Sequence, residues 1–195
     1  MSIAAILLAD RDVPALGGPP ALLPWHDGET LVEYQVAQLL EAGVGAVEVV
    51  LGADADRIIP LVARDNVEPV VNARWRDGVA GSLRVGASAV PRGTETALIV
   101  EVIQPRPAEI YRRLLDAHLG NGAGITVPTF KGTAGRPIVV DTAALAELRN
   151  LTAPGNLEML IERHATVHLV PLDDSIVLLE IATREEYESA HLRLG

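Results

Sequence analysis

The sequence predicts an α/β fold in which helices cover both faces of a mainly parallel sheet. Residues Ile3 to Ala9 form a short apolar run that ends at charged residues, which is typical of a strand buried on both faces. Similar short runs alternate with segments of helical length along the chain. Sheets of this kind bind ligands at the carboxyl ends of their strands, so we expect three layers, with the site in the loops 10–29, 72–82, 103–107 and 180–184.

Eight segments are predicted as strands because each is a short apolar run bounded by turn residues or by a helix signal. In chain order they are Ile3–Ala9, Ala46–Leu51, Val67–Val71, Thr96–Val102, Gly124–Val127, Pro137–Val140, Val167–Pro171 and Ile176–Ile181.

Seven segments are predicted as helices from their length and their capping residues. The first helix begins at the capping box of Thr30 and Glu33 and ends near Ala42, and the second runs from Asp54 to Ala63 with an interruption at Pro60. The third runs from Val79 to Ala89, the fourth from Pro107 to Leu119, and the fifth from a cap at Asp141 or Thr142 to Leu148. The sixth, capped by Asn156, runs from Leu157 to Arg163, and the seventh begins at the capping box of Thr183 and Glu186.

The composition indicates one globular domain, which we place over residues 1–195. Hydrophobic residues make up 49% of the chain and charged residues 22%. The absence of cysteine excludes disulfides, thiolate nucleophiles and cysteine zinc sites, and it favours a reducing cytoplasm. Scattered basic residues and a net charge of −10 argue against nucleic acid as a partner, and we expect neither a signal peptide nor a membrane span.

Several motifs follow one another along the chain. The loop after the first predicted strand reads L-A-D-R-D-V-P-A-L-G-G-P-P-A-L-L from Leu8 to Leu23. Residues 72–86 have the pattern N-x-x-W-x-x-G-x-x-x-S-L-x-x-G. The pair Gln104-Pro105, the pattern G-x-x-G-R-P over 132–137 and the run E-I-A-T-R-E-E-Y over 180–187 complete the series.

In this order, the motifs resemble those of the molybdenum-cofactor nucleotidyltransferases, the MobA/MocA-like group of NTP transferases, over nearly the whole chain. The resemblance implies a Rossmann-like nucleotidyltransferase fold of the nucleotide-diphospho-sugar transferase type. It also implies that the ligand is a nucleoside triphosphate, either CTP or GTP. Any activity that remains would use Mg²⁺ as its cofactor. A pterin-type ligand and a protein partner are the other partners that it suggests.

The sequence departs from the family pattern where the chemistry of that family is concentrated. Where the family loop has the form L-A-A-G-x-G-x-R-M-G-x-x-K-x-L-L, the two glycines are replaced by Arg11 and Val13, the arginine by Ala15 and the lysine by Pro20. The metal-binding aspartate of the family's D-Q-P motif is replaced by Ile103. Proline has no amide hydrogen and a non-glycine residue resists positive φ, so we expect the loop to take another path.

The resemblance, carried over residue by residue, nominates a candidate site. Its candidate catalytic residues are Arg11 and Glu180, its candidate metal ligands are Glu101 and Glu180, and its candidate nucleotide-binding residues are Leu8, Ala9, Asp10, Gly17, Gly78 and Ser82. Glu101 enters as a displaced ligand, since it lies two residues before Ile103 and points to the same side of an extended strand. Ser82 faces either a nucleobase or its own helix, and Trp75 either packs or stacks on a ligand.

Three functions stay open at this point. The first is a transferase homologue with impaired or lost catalysis that keeps its scaffold for a nucleotide, a pterin-type ligand or a protein. The second is an active nucleotidyltransferase in which Arg11 replaces the lost cations and Glu101 or Glu180 holds Mg²⁺. The third is a regulatory or structural subunit that binds a partner protein and no small ligand.

Overall fold

Strands and helices alternate through residues 2–194, the part of the chain that the computed structural model describes. The strands are β1 (Ile3–Ala9), β2 (Ala46–Leu51), β3 (Val67–Val71), β4 (Thr96–Glu101), β5 (Ile125–Phe130), β6 (Thr133–Ala134), β7 (Ile138–Asp141) and β8 (Val167–Pro171). The helices are α1 (Leu31–Glu41), α2 (Ala55–Val62), α3 (Val79–Ala89), α4 (Ala108–Asn121), α5 (Thr142–Arg149), α6 (Leu157–Arg163) and α7 (Arg184–Leu194).

The strands form one mixed sheet that is mostly parallel. Its first part has the order β3-β2-β1-β4, and these four strands are parallel to one another. β7 then pairs with β4 and with β5 in the antiparallel sense, and β8 lies parallel beside β5. The predicted α/β fold with a mainly parallel central sheet is therefore confirmed.

β1 contributes side chains to two apolar layers, one on each face of the sheet, because successive side chains of a strand point to opposite faces. Ala5, Leu7 and Ala9 pack in the cluster that includes α1 and α4. Ile6 and Leu8 pack in the other cluster, which includes α3 and α5. This burial on both faces fixes the direction in which the chain leaves β1 and therefore the edge at which the following loop lies.

The local signals in the sequence placed most of the elements correctly. The main-chain N–H of Thr30 donates to the Glu33 carboxylate over 2.9 Å, as the capping box predicts. Asp141 caps α5 and Asn156 caps α6 through their side chains. α2 continues through Pro60, and α4 ends at Asn121, where Gly122 takes the left-handed conformation, so both helices differ slightly from the prediction.

The predicted strand Ile176–Ile181 is wrong. Residues Ser175–Leu178 form a single 3₁₀ turn, which the Asp174 carboxylate caps by accepting from the N–H of Ile176 over 2.8 Å. The carbonyls of Val177 and Leu179 accept from the buried guanidinium of Arg106 over 3.1 and 2.9 Å. The Val177 carbonyl also accepts from the Arg136 N–H over 2.8 Å. These scattered partners do not form a regular strand ladder, and an apolar pattern alone does not reveal this.

One carboxyl lies within the sheet in an unfavourable environment. Glu48, in the middle of β2, is only 3% exposed, and its Oε2 has no hydrogen-bond partner among the described residues. Glu68 of β3 lies directly beside it in the register of the two strands. Burial, together with the charge of Glu68, raises the pKa of Glu48 from 4.5 to about 7.

We expect Glu48→Gln to stabilise the protein at pH 8 by about 1–3 kcal/mol in the free energy of unfolding, the range for one unpartnered buried polar group. An acid whose pKa is raised on folding favours the folded state when protonated, so stability falls as pH rises from about 4.5 to about 7. The gain should therefore shrink at pH 5. Urea unfolding at both pH values measures it.

Glu162→Gln is the matched control, because Glu162 is exposed on α6, which does not belong to the sheet around Glu48. It should change the free energy of unfolding by less than about 0.5 kcal/mol at either pH. An equal gain from both variants, or a gain from Glu48→Gln that persists undiminished at pH 5, would contradict this account of Glu48.

Candidate functional site

The loop after β1 closes on itself. The N–H groups of Val13, Leu16 and Gly17 donate within the loop, to the carbonyls of Gly18, Val13 and Pro14 over 3.3, 2.8 and 3.0 Å. The left-handed positions fall on Gly17 and Gly18, at φ +83° and +143°, and not on Arg11 or Val13. The loop thus uses several of its own amides, and Pro14 supplies none.

A chain of buried hydrogen bonds ties the start of this loop to α3. The Ser82 hydroxyl donates to the Asp10 carboxylate and accepts from the Asn72 side-chain amide over 2.9 Å. All three side chains are buried, and Ser82 is fully enclosed. The predicted nucleotide-binding residues Asp10 and Ser82 therefore come together, and in this structure the Ser82 hydroxyl is bound to Asp10.

The other predicted nucleotide-binding residues have different surroundings. Leu8 and Ala9 are buried in β1, and the Leu8 carbonyl accepts from the Val102 N–H over 2.9 Å. Gly17 is exposed at the tip of the loop. Gly78 is exposed at the start of α3, with φ +112°, a conformation that favours glycine.

Gly78 borders an open cavity of about 340 Å³, which we call the loop cavity. It is lined by Asp10, Arg11, Asp12, Pro14, Trp75, Arg76, Gly78 and Val79. Trp75 packs so closely on Gly52 that a Cβ on that glycine would lie 2.4 Å from the Trp75 Cγ, and Arg76 stacks on the indole at 4.2 Å. Trp75 is thus a packing residue in this structure, and Arg76 is the side chain stacked on its ring.

A second cavity of about 380 Å³ lies at the end of β4, and we call it the charged cavity. Arg11, Arg106 and Arg136 line it together with Glu101, Glu158, Glu180, Gln104 and parts of the segments 134–135 and 177–179. Both predicted metal ligands therefore face the same space. Arg11, a predicted catalytic residue, lines this cavity as well as the loop cavity.

The carboxylates of the charged cavity are already engaged. The Arg11 Nη2 lies 3.2 Å from the Glu101 Oε2, and the Gln104 side-chain amide donates to Glu180 over 3.4 Å. Burial raises the pKa of Glu101, while the charge of Arg11 lowers it and the charge of Glu180 raises it further. Arg136 forms an ion pair with Glu158, and both residues line the same cavity.

Sequence reasoning missed Arg106, the only arginine with no exposed surface among residues 2–194. Its guanidinium donates to the carbonyls of Pro105, Arg136, Val177 and Leu179 over 2.8 to 3.1 Å. Burial lowers its pKa to about 10, so it stays charged at neutral pH. Its position directly after the Gln104-Pro105 motif was the one available signal.

The residues present do not fit the Mg²⁺ ion that the resemblance implies. Ile103, at the position of the family's aspartate, is buried in the core and cannot coordinate a cation. No three His, Asp or Glu side chains within residues 2–194 converge as a metal site would require. A guanidinium already pairs with Glu101, so the charged cavity is balanced by arginine side chains.

We expect Ser82→Ala to destabilise the protein by about 1–3 kcal/mol, because it leaves the buried Asp10 carboxylate and the Asn72 amide without their shared partner. Ser88→Ala is the matched control on the same helix, since Ser88 is exposed and donates only to the Arg84 carbonyl. Urea unfolding should show less than about 0.5 kcal/mol for the control. Equal losses for the two variants would contradict the role of the buried chain.

Comparison with known proteins gives relatives of two kinds. Nicotine blue oxidoreductase of Paenarthrobacter nicotinovorans is 41% identical over 122 residues, which cover 60% of this chain and 57% of that protein. Rv0371c of Mycobacterium tuberculosis is 25% identical, with a TM-score of 0.84 over 98% of both chains. A nucleotidyl transferase from Methanothermobacter, 23% identical, has the same fold, with a TM-score of 0.81 over 100% of this chain and 99% of its own.

No helix among residues 2–194 has the length and apolar character needed to cross a bilayer. The pattern of the MobA-like NTP transferase domain matches residues 14–167, which include most of the loop after β1, the Asn72 to Gly86 motif and most of the sheet. This match agrees with the fold, with the order of the motifs and with the solved relatives. The chain therefore belongs to the MobA-like NTP transferase family.

Proposed function

We propose that this chain is a nucleotide-binding member of its family that does not catalyse efficient nucleotidyl transfer. The observation that carries the proposal is the closed loop after β1. Transfer from a nucleoside triphosphate needs amide donors, cations and a metal around the phosphates, because charge develops there in the transition state. This loop directs the N–H groups of Val13, Leu16 and Gly17 to its own carbonyls.

The charges near the loop support the same conclusion. Asp10 and Asp12 border the loop cavity, where phosphates would approach. At about 4 Å, each carboxylate repels a unit phosphate charge by about 1 kcal/mol in water and about 4 kcal/mol at an effective dielectric constant of 20. A nucleotide bound here is therefore held mainly by its base and ribose, in the loop cavity beside Gly78.

We expect isothermal titration with CTP, GTP, CMP and GMP to give triphosphate and monophosphate affinities within about tenfold of each other, with no gain from Mg²⁺. Val79→Phe should abolish binding because the ring fills the loop cavity. Leu192→Phe, at a side chain that is 84% exposed, is the control and should bind as the natural protein does.

Two results would overturn the proposal. The first is robust Mg²⁺-dependent transfer of CMP, GMP or UMP to an acceptor, together with Mg²⁺-enhanced triphosphate binding. It would favour an active transferase that uses Arg11 with Glu101 or Glu180. The second is the absence of binding at millimolar nucleotide, which would direct the search to pterin-type ligands and protein partners.

A second candidate function is a redox reaction. It is favoured by one observation, the 41% identity with a protein named as a nicotine blue oxidoreductase. This chain spans 57% of that relative's length, and a shared scaffold does not by itself carry over a reaction.

If this chain shares the redox reaction, it should accelerate the two-electron reduction of nicotine blue by NADH or NADPH. The visible absorbance of the pigment and the absorbance of the reduced nicotinamide at 340 nm, followed together, would measure the rate. We expect Val79→Phe to slow the reaction by at least about tenfold if the reduced nicotinamide nucleotide occupies the loop cavity. Rates equal to those without protein would eliminate this candidate.

A further inference from the structure

Arg11 lines the charged cavity together with Glu101 and Glu180, the two carboxylates predicted as metal ligands. We propose that its guanidinium serves as the built-in cation of the charged cavity, and that it prevents Glu101 and Glu180 from binding a metal. The inference rests on the proposed function, because the positive charge of Arg11 would explain why nucleotide binding gains nothing from Mg²⁺. Its test measures metal binding alone.

The order of the strands in the sheet positions Arg11 beside Glu101. β1 and β4 are parallel neighbours in which Leu8 lies beside Glu101, so the residues just after β1 pass the end of β4. The Arg11 side chain turns towards β4, and its Nη2 approaches the Glu101 Oε2 to 3.2 Å. The Glu101 side chain is 17% exposed and the Arg11 side chain 43%, so the acidic member of the pair is the better shielded from water.

A separate segment brings Glu180 to the same cavity. The Ile181 N–H donates to the Ile103 carbonyl over 2.8 Å, which fixes the chain around Glu180 next to the loop after β4. Gln104 then donates to Glu180 over 3.4 Å. Two carboxylates with one amide oxygen nearby are hard oxygen donors, and Mg²⁺ and Mn²⁺ bind readily through one or two carboxylates when waters complete the shell.

The other arginines of the cavity have different partners. Arg106 donates to four main-chain carbonyls, and Arg136 pairs with Glu158. The charge that directly neutralises Glu101 therefore comes from Arg11. If Arg11 is removed, two carboxylates are left facing one cavity without a directly paired cation, and this arrangement favours the uptake of a divalent ion.

The test is a titration of the purified full chain with Mn²⁺, in which electron paramagnetic resonance measures the free ion. We expect the natural protein to bind Mn²⁺ only weakly at this site and Arg11→Ala to bind it at least about tenfold more tightly. Arg11→Ala with Glu101→Gln should return to weak binding. Arg11→Lys, which keeps the positive charge, should remain weak.

Arg112→Ala is the matched control, because Arg112 forms an exposed ion pair with Glu41 and its loss changes the net charge by the same amount. It should leave Mn²⁺ affinity at the level of the natural protein. Arg11→Met retains much of the apolar stem and provides a second neutral variant if Arg11→Ala folds poorly, as judged by circular dichroism and thermal unfolding.

Three results would overturn the inference: tight Mn²⁺ binding by the natural protein, equal affinities for the neutral Arg11 variants and Arg112→Ala, or tight binding that survives Glu101→Gln in the double variant. None of these measurements uses a nucleotide. If the separate titrations with CTP, GTP, CMP and GMP show no binding while Arg11→Ala gains metal binding, the proposed function is refuted and the role of Arg11 stands.

Discussion

The burial of β1 on both faces is the constraint on which the site depends. Because its side chains are apolar on both sides, the strand has one stable position, between β2 and β4. Polar residues can then begin only where the strand ends, and the first of them are Asp10 and Arg11. Their places beside Ser82 and Glu101 follow from the position of a strand whose own side chains are all apolar.

Most charged groups of the site are also paired with other groups of the same chain. Arg11 pairs with Glu101, Arg136 pairs with Glu158, and the Asp10 carboxylate accepts from Ser82. Groups that a phosphate or a metal would need are thus already bound to other parts of the chain. This explains how the chain keeps the family's fold while differing from it in chemistry, because a fold positions side chains and the side chains decide the reaction.

Arg106 shows how one buried charge shapes a neighbouring segment. A guanidinium enclosed by protein needs hydrogen-bond acceptors, and here main-chain carbonyls supply them. The segment after Asp174 consequently turns and then runs outside the sheet, which places Glu180 at the charged cavity. The predicted strand at Ile176–Ile181 failed for this reason, since hydrophobic pattern describes side-chain burial and not the destination of carbonyl groups.

The sequence by itself determined the α/β class, the bounds of strands such as Ile3–Ala9 and Ala46–Leu51, and caps such as Thr30 with Glu33. These features depend on residues close together in the chain, whose spacing reports their local structure. The motifs also indicated the family and the positions at which the chain departs from it. Only the tertiary structure decided that Arg11 meets Glu101, that Ser82 is bound to Asp10 and that Arg106 holds the segment before Glu180. Those partners are 71 to 90 residues apart in sequence, so their contacts exist only once the strands have taken their order in the sheet.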